Sequence, residues 1–387
     1  MTKTPAQIQL ELLQNQIFRK ARGDEWVNKR IEQNKAKNFY QGFMEKQADT
    51  YLKESKNKNI KREDLIFDLK AQGNVYENQV GYNMLVHLLD NIEKASKDLG
   101  FTIPTRPIIG TLPTGKVQAM AMRHYVSKEP MIIFEYELFT FTNLISKSVL
   151  LSLPFEQKNG VTKFSSSEEN IKKMIVQDQT GVQKFLEVLL AYLIKGQPTL
   201  ATPYYPNEKI IGLNSQITHL MELFVMGHEY AHILLGHTNC SKQKESGIST
   251  EVLTEMIFKW NQEFEADGLS LILILQSFSN KNFYDMPLLY AGVDLFLSCL
   301  DIMDRSISII LSGKEEQRMD DSHPPVSERR DYIRYHLTRM LGTEKAEVGI
   351  SLAKTYVAVL EVYFDLCRPV LLDLHHKRTK LAKTWWK

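Results

Sequence analysis

The sequence predicts a mainly helical α+β fold, with a small sheet lying over a long apolar helix in the middle of the chain. Three observations carry this expectation. Proline-free segments with apolar residues at i, i+3 and i+4 recur along most of the chain, which is the helical period. Two short stretches, 117–125 and 131–141, read instead as strands, the second partly alternating and rich in Ile, Phe and Tyr. The 387 residues are 43% hydrophobic and 24% charged, the balance of a globular protein with length for one large or two ordinary domains.

Residues 1–100 read as helices rich in Lys, Glu, Asn and Gln, broken at Gly73. Ile8, Leu10, Leu12, Leu13, Ile17 and Phe18 suggest a first helix packed on one side. The stretch 53–62, with four Lys and one Arg, reads as a solvated turn. Pro104, Pro107 and Pro113 with Gly110 and Gly115 mark a change near residue 103. The expected division is therefore a helical N-terminal region 1–102, regulatory or core-completing, a main domain 103–345, and a C-terminal helix with tail, 346–387. Within the main domain, 143–153 and 167–196 read as helices separated by a polar loop at 157–166. The segment 199–212 leads into a helix at 216–235 that Asn214 and Ser215 can cap and Gly236 can end. A further helix begins near Thr250 and continues past Leu275, with Trp260, Phe264, Leu269, Leu271 and Ile272 as core candidates. Helices at 288–310, 327–341 and 346–367 complete the chain.

The central helix carries His228-Glu229-Tyr230-Ala231-His232, the pattern HExxH. Four residues apart on a helix is one face, so His228 and His232 can turn two imidazoles to one metal ion. Glu229 stands one residue round from the first ligand, where a base must be to take a proton from water held at the metal. On the next helix Glu263 can add a carboxylate oxygen, giving two His, one Glu and an open position, the arrangement of catalytic zinc. Asp267, again four residues on, can accept the spare ring N–H of a ligand histidine, His228 foremost. Surface acids on a solvated face are the plainer alternative for Glu263 and Asp267. His237 stands in the wrong register for a third histidine ligand and suits the carbonyl end of the helix. Cys240 reads as a free thiol, because a further protein ligand would close the open position.

HExxH followed by a helix with ExxxD resembles the gluzincin metallopeptidases. The version Glu263-Phe-Glu-Ala-Asp267 is most similar to the family of the CAAX prenyl protease and the bacterial heat-shock membrane protease. The stretch Ser322-His323-Pro324-Pro325 followed by Arg329 is also similar to one in that family. The resemblance covers roughly residues 214–335. It implies a zincin-like metallopeptidase core, Zn2+ as cofactor and Glu263 as third ligand. It also sets His323 and Arg329 close to the active site as candidates for stabilising the oxyanion. A structural role is equally open there, with Arg329 pairing an acid and Pro324-Pro325 stiffening a turn. Members of that family carry membrane-spanning helices, whereas no window here reaches the ~18 apolar residues of a span. The HExxH helix is also similar to that of soluble phage-exclusion proteases of about this size.

The function expected is zinc-dependent endoproteolysis of a protein or peptide substrate, with Glu229 as general base. The stretch 131–141 is a candidate substrate-side edge strand for holding that substrate extended, with an ordinary core strand the plainer alternative. Two rivals remain open: a regulated stress- or phage-response protease gated by residues 1–102, and a non-hydrolytic metal-containing binding protein. A net charge of +2 gives no electrostatic case for nucleic acid. Cys240, Cys299 and Cys367 are few, odd in number and far apart, which argues against a disulfide framework and suits a reducing compartment. With a polar, amphipathic N-terminus that lacks signal-peptide character, a cytoplasmic protein is expected. The end of the chain, 374–387, holds five Lys or Arg and no acid. It could dock on an acidic partner or membrane surface, or pack onto the domain.

Overall fold

The computed structural model describes residues 2–382 other than 37, 55–60, 67, 116–117, 154, 159–160, 165–166, 205–207, 240–249, 279–285 and 316–322. Four helices come first: α1 (Pro5–Arg22), α2 (Asp24–Lys35), α3 (Phe39–Glu54) and α4 (Gln79–Asp98). Three short strands follow, β1 (Ile108–Leu112), β2 (Ala119–Arg123) and β3 (Pro130–Glu135), then α5 (Leu138–Leu151). The hairpin β4 (Phe155–Lys158) and β5 (Val161–Phe164) leads to α6 (Glu168–Gln177) and α7 (Thr180–Lys195). The long helices α8 (Glu208–Leu234), α9 (Thr250–Phe278), α10 (Met286–Ser312), α11 (Val326–Leu341) and α12 (Thr343–His376) complete the molecule. The mainly helical composition with a small three-stranded sheet is as the sequence predicts.

The sheet corrects one expectation. Its order is β1-β3-β2, with β3 parallel to β1 (Ile108 beside Met131) and antiparallel to β2 (Ala119 beside Phe134). The stretch 131–141 therefore contributes the central strand, not an edge, and it ends at Glu135, three residues before α5 begins. The reason is compositional. Met131, Ile132, Ile133 and Phe134 form an unbroken apolar run, all buried, and such a run needs cover on both faces and both edges. The edge strands are β1 and β2, and β2 is half-buried along its length and in contact with α8. Strand β1 lies in the stretch read only as a Pro- and Gly-marked break. The hairpin β4–β5 replaces the polar loop expected at 157–166, with Phe155 beside Phe164. The Asn159-Gly160 dipeptide between its strands is the strong hairpin signal that the loop reading passed over.

The first hundred residues are fastened to the rest. Asn78 caps α4 by accepting from the Val80 and Gly81 N–H groups at 3.0 and 3.3 Å, which satisfies donors the helix start leaves orphaned. The helix then buries Leu85, Leu88, Leu89, Ile92 and Ala95 in the main core and packs on both α8 and α9. Ala6, Leu10 and Ile17 of α1 close a smaller cluster with Leu112, Met131 and Ile133 of the sheet. Ile8 and Leu12 face solvent instead, 48% and 59% exposed. Buried Glu77 accepts from Gln14 of α1 and from the Thr111 N–H and hydroxyl of β1. That network ties three elements with one carboxylate.

Helix α8 begins at Glu208, so Asn214 and Ser215 lie inside it and do not cap it. Asn214 uses its side chain laterally, donating to Asn143 Oδ1 of α5 at 2.7 Å. The far end is as expected: Gly236 takes φ +77° just beyond the helix, a conformation that other residues adopt at a cost. On α9, Leu271 is buried as expected, while Ile272 is 38% exposed and Leu273 and Ile274 are buried. Helix α12 runs past the expected end at 367, through Pro369 to His376. The segment beyond it folds back, the Ala382 N–H donating to the Leu193 carbonyl of α7 at 2.7 Å. Leu374 and Leu381 pack against the main core while Lys377, Arg378 and Lys380 are exposed, and Trp385 and Trp386 lie outside the described residues. Among the described residues no helix is long and apolar enough to cross a membrane.

Helices α8 and α10 approach closely at Gly292, where a Cβ would stand 2.6 Å from Leu220 Cβ and 3.2 Å from the Ile217 carbonyl oxygen. Backbone cannot yield there as a side-chain tip can. Gly292→Ala is expected to lower stability by about 1–3 kcal/mol despite the better helix propensity of alanine, read as a drop in urea midpoint. An unchanged midpoint would contradict this packing.

Candidate metal centre

The apolar face of α8 sets the site's position. Phe224, Met226, Tyr230 and Ile233 anchor the helix in the core, leaving His228, Glu229 and His232 on the side toward α9. Glu263 and Asp267 of α9 are 8% and 0% exposed, so they are not surface acids. The two helices sit close because Gly227 faces Ser270, whose hydroxyl donates to the Phe224 carbonyl at 2.9 Å.

His228 Nε2 and His232 Nε2 are 3.1 Å apart. Glu263 Oε2 lies 3.2 Å from the first and Glu263 Oε1 3.3 Å from the second. Ligands at 2.0–2.1 Å around tetrahedral zinc stand about 3.3 Å from one another, so the spacing and the donor types both fit that ion. The three residues form the one group of metal-ligand type found among the described residues, and it could hold a metal.

The surrounding charges favour a cation. His228 Nδ1 is 2.9 Å from Asp267 Oδ1. Arg329 of α11 donates Nε and Nη2 to the two Asp267 oxygens, both at 2.7 Å. Burial opposes charge on His228, but the Asp267 and Glu263 carboxylates outweigh it and push its pKa up to about 10. Burial alone would raise Glu263, yet His228 and His232 hold it well below the usual carboxylate range. Burial would likewise raise Asp267, and Arg329 and then His228 keep it below its ordinary value. Arg329 is raised in spite of burial by Asp267, Glu263 and Glu229.

Arg329 Nη1 stands 3.9 Å from Glu263 Oε2, and two of its nitrogens are spent on Asp267. That is the structural alternative left open by the sequence, an arginine holding an acid. His323 is at the rim, its Nε2 3.7 Å from Glu263 Oε2 with its side chain 48% exposed. Pro324 is buried and Pro325 starts α11. Glu229 is 6% exposed, one residue from His228.

Sequence reasoning missed three partners. His237 does not end α8 but sits in a 3-10 turn, His237–Asn239, with Nδ1 2.9 Å from His232 Nδ1 and Nε2 3.0 Å from Glu265 Oε2. Burial and then His232 lower its pKa. Arg330 and Arg334 pair with buried Asp294 of α10, Arg334 Nη2 at 2.7 Å. Only the recurrence of Arg on α11 at i, i+1 and i+5 hinted at such clamps. Cys240 lies outside the described residues, while Cys299 and Cys367 are buried free thiols. A cavity of about 1050 Å³ lies between α2, α4 and the sheet, lined by none of the metal-site residues.

Comparison with known proteins gives no match, whether to a family model, a curated protein or a solved structure.

Removing Arg329 would leave the Asp267 carboxylate buried and short of its main counter-charge. Arg329→Ala is expected to cost about 3–5 kcal/mol in urea unfolding. A cost within experimental error of zero would show that the pair does not hold α11 to α9.

Proposed function

We propose that this chain is a zinc-dependent endopeptidase. The observation that carries the reading is the convergence of His228, His232 and Glu263 at ligand spacing with Glu229 buried beside them. A purely structural metal site has no use for a carboxylate in that position, which disfavours the non-hydrolytic rival. The same ExxxD register is what motivates grouping the chain with gluzincin-type peptidases.

His228, His232 and Glu263 would hold the ion. When bound, zinc polarises a carbonyl and lowers the pKa of water. Glu229 takes the proton of the attacking water and returns it to the leaving amine. Asp267, held by Arg329, keeps the His228 ring turned with Nε2 toward the ligand cluster. His323, at the rim, is the candidate donor to the developing oxyanion. The substrate is an extended protein or peptide segment. Of the two edge strands β2 suits it, because it touches α8, which carries His228 and His232, and its outer edge pairs with no strand among the described residues. An extended chain can add there by main-chain hydrogen bonds.

Glu229→Gln preserves shape and removes the base. Against unfolded casein and a proteome-derived peptide mixture read by mass spectrometry, wild type is expected to cleave. The variant is expected to keep its zinc and lose about 10²–10⁴ in rate. Full turnover by the variant would remove Glu229 as the base, and no cleavage by zinc-loaded wild type of either probe would count against peptidase activity.

A further inference from the structure

His228 and His232 of α8 are oriented by different means. His228 faces a fully buried carboxylate clamped by arginine. His232 faces another histidine, which in turn faces an acid whose side chain is 58% exposed. A contact of 2.9 Å between His232 Nδ1 and His237 Nδ1 requires one ring to donate and the other to accept.

Three constraints select a single proton arrangement. His232 Nε2 faces His228 Nε2 and Glu263 at 3.1 and 3.3 Å, the side on which a metal ion needs a lone pair. The His232 proton therefore belongs on Nδ1, where it is donated to His237 Nδ1. His237 must accept there, so its own proton stands on Nε2. That proton meets Glu265 Oε2 at 3.0 Å, and a carboxylate can only accept. The reverse arrangement fails twice: it places a proton on His232 Nε2 within the ligand cluster, and it turns a bare His237 nitrogen toward an anionic oxygen.

We propose that His237 and Glu265 are a positioning relay that fixes His232 as an Nε2 ligand. The inference rests on reading His228, His232 and Glu263 as a metal centre, and does not depend on peptide hydrolysis. Neither residue touches the ligand position. Both act through His232, as the Asp267–Arg329 pair acts through His228. The relay is also the one that reaches the edge strand. Arg123, the last residue of β2, donates Nε to Thr238 Oγ1 at 3.1 Å, tying the turn that carries His237 to the end of β2. Gly236, at positive φ, reverses the chain so that this turn comes back against His232.

The test is zinc affinity of the full chain, measured by competition with a chromophoric chelator for wild type, His237→Ala, His237→Gln and Glu265→Gln. Loss of a partner that orients a ligand histidine is expected to weaken binding about 10- to 100-fold in His237→Ala. His237→Gln offers an amide oxygen to the His232 Nδ1 proton and is expected to recover most of that loss. Glu265→Gln keeps an acceptor for His237 and is expected to fall between. Nitrogen-15 histidine spectra of the zinc-loaded chain give a second readout. Wild type should show His232 protonated at Nδ1 in slow exchange with solvent, and His237→Ala should lose that protection. Folded His237→Ala with wild-type affinity would overturn the relay. So would equal losses in the Ala and Gln variants accompanied by lowered stability of the metal-free protein, which is the mark of a packing role. Absence of zinc affinity in wild type would overturn the metal centre itself, and the relay with it.

Discussion

A carboxylate with no contact with water must be neutralised by its neighbours, and Asp267, fully buried, organises three helices by that need. Arg329 brings α11 to it through two hydrogen bonds, and His228 brings α8 to it through a ring nitrogen. An uncompensated charge at such a site costs several kcal/mol, so the three helices cannot separate or slide without exposing that cost. Helix α11 is held on its other side by a second buried acid, Asp294 of α10, through Arg330 and Arg334. The pairing is planar and two-pronged at Asp267, which sets rotation as well as distance. The face of α8 that carries His228 and His232 is thereby fixed in direction.

That fixed direction has an electrostatic consequence. Glu263, Asp267 and Glu229 are all buried, and Arg329 is the buried permanent cation that faces them. The elevated pKa of His228 is the response of the cluster to too little positive charge. A proton supplies it crudely, since it leaves two imidazole nitrogens and a carboxylate crowded at about 3.2 Å without a centre that all three can share. A divalent ion would supply the charge at the point where the three donors converge, and its binding free energy would add to stability.

The convergence of His228, His232 and Glu263 was legible because the spacing that produces it is local. HExxH and ExxxD each place their residues on one helical face by spacing alone, and the apolar runs around them are long enough to give α8 and α9. What the sequence hid is what depends on contacts far apart in the chain. The all-apolar run Met131–Phe134 announces burial but not which strands flank it, so the run alone leaves a core strand and a substrate-side edge strand both open. Strand β1 is punctuated by Pro107 and Gly110, residues that speak for a loop until its parallel pairing with β3 is seen. Asn214 and Ser215 have the chemistry of caps, yet the helix continues outward past them and Asn214 finds a partner on α5. His237 was judged by its register against other ligand patterns. The role proposed for it depends on Glu265, 28 residues on and in a second helix. The hairpin at β4–β5 was the avoidable error, since Asn159-Gly160 signals it directly.

The central claim is that three side chains from two helices form one metal centre, and zinc content measures it directly. Elemental analysis of the purified chain beside Glu263→Ala should give about one zinc per chain in the first and little in the second. Full zinc in Glu263→Ala would contradict the ligand set, and no zinc in either protein after the metal is supplied would contradict the centre altogether.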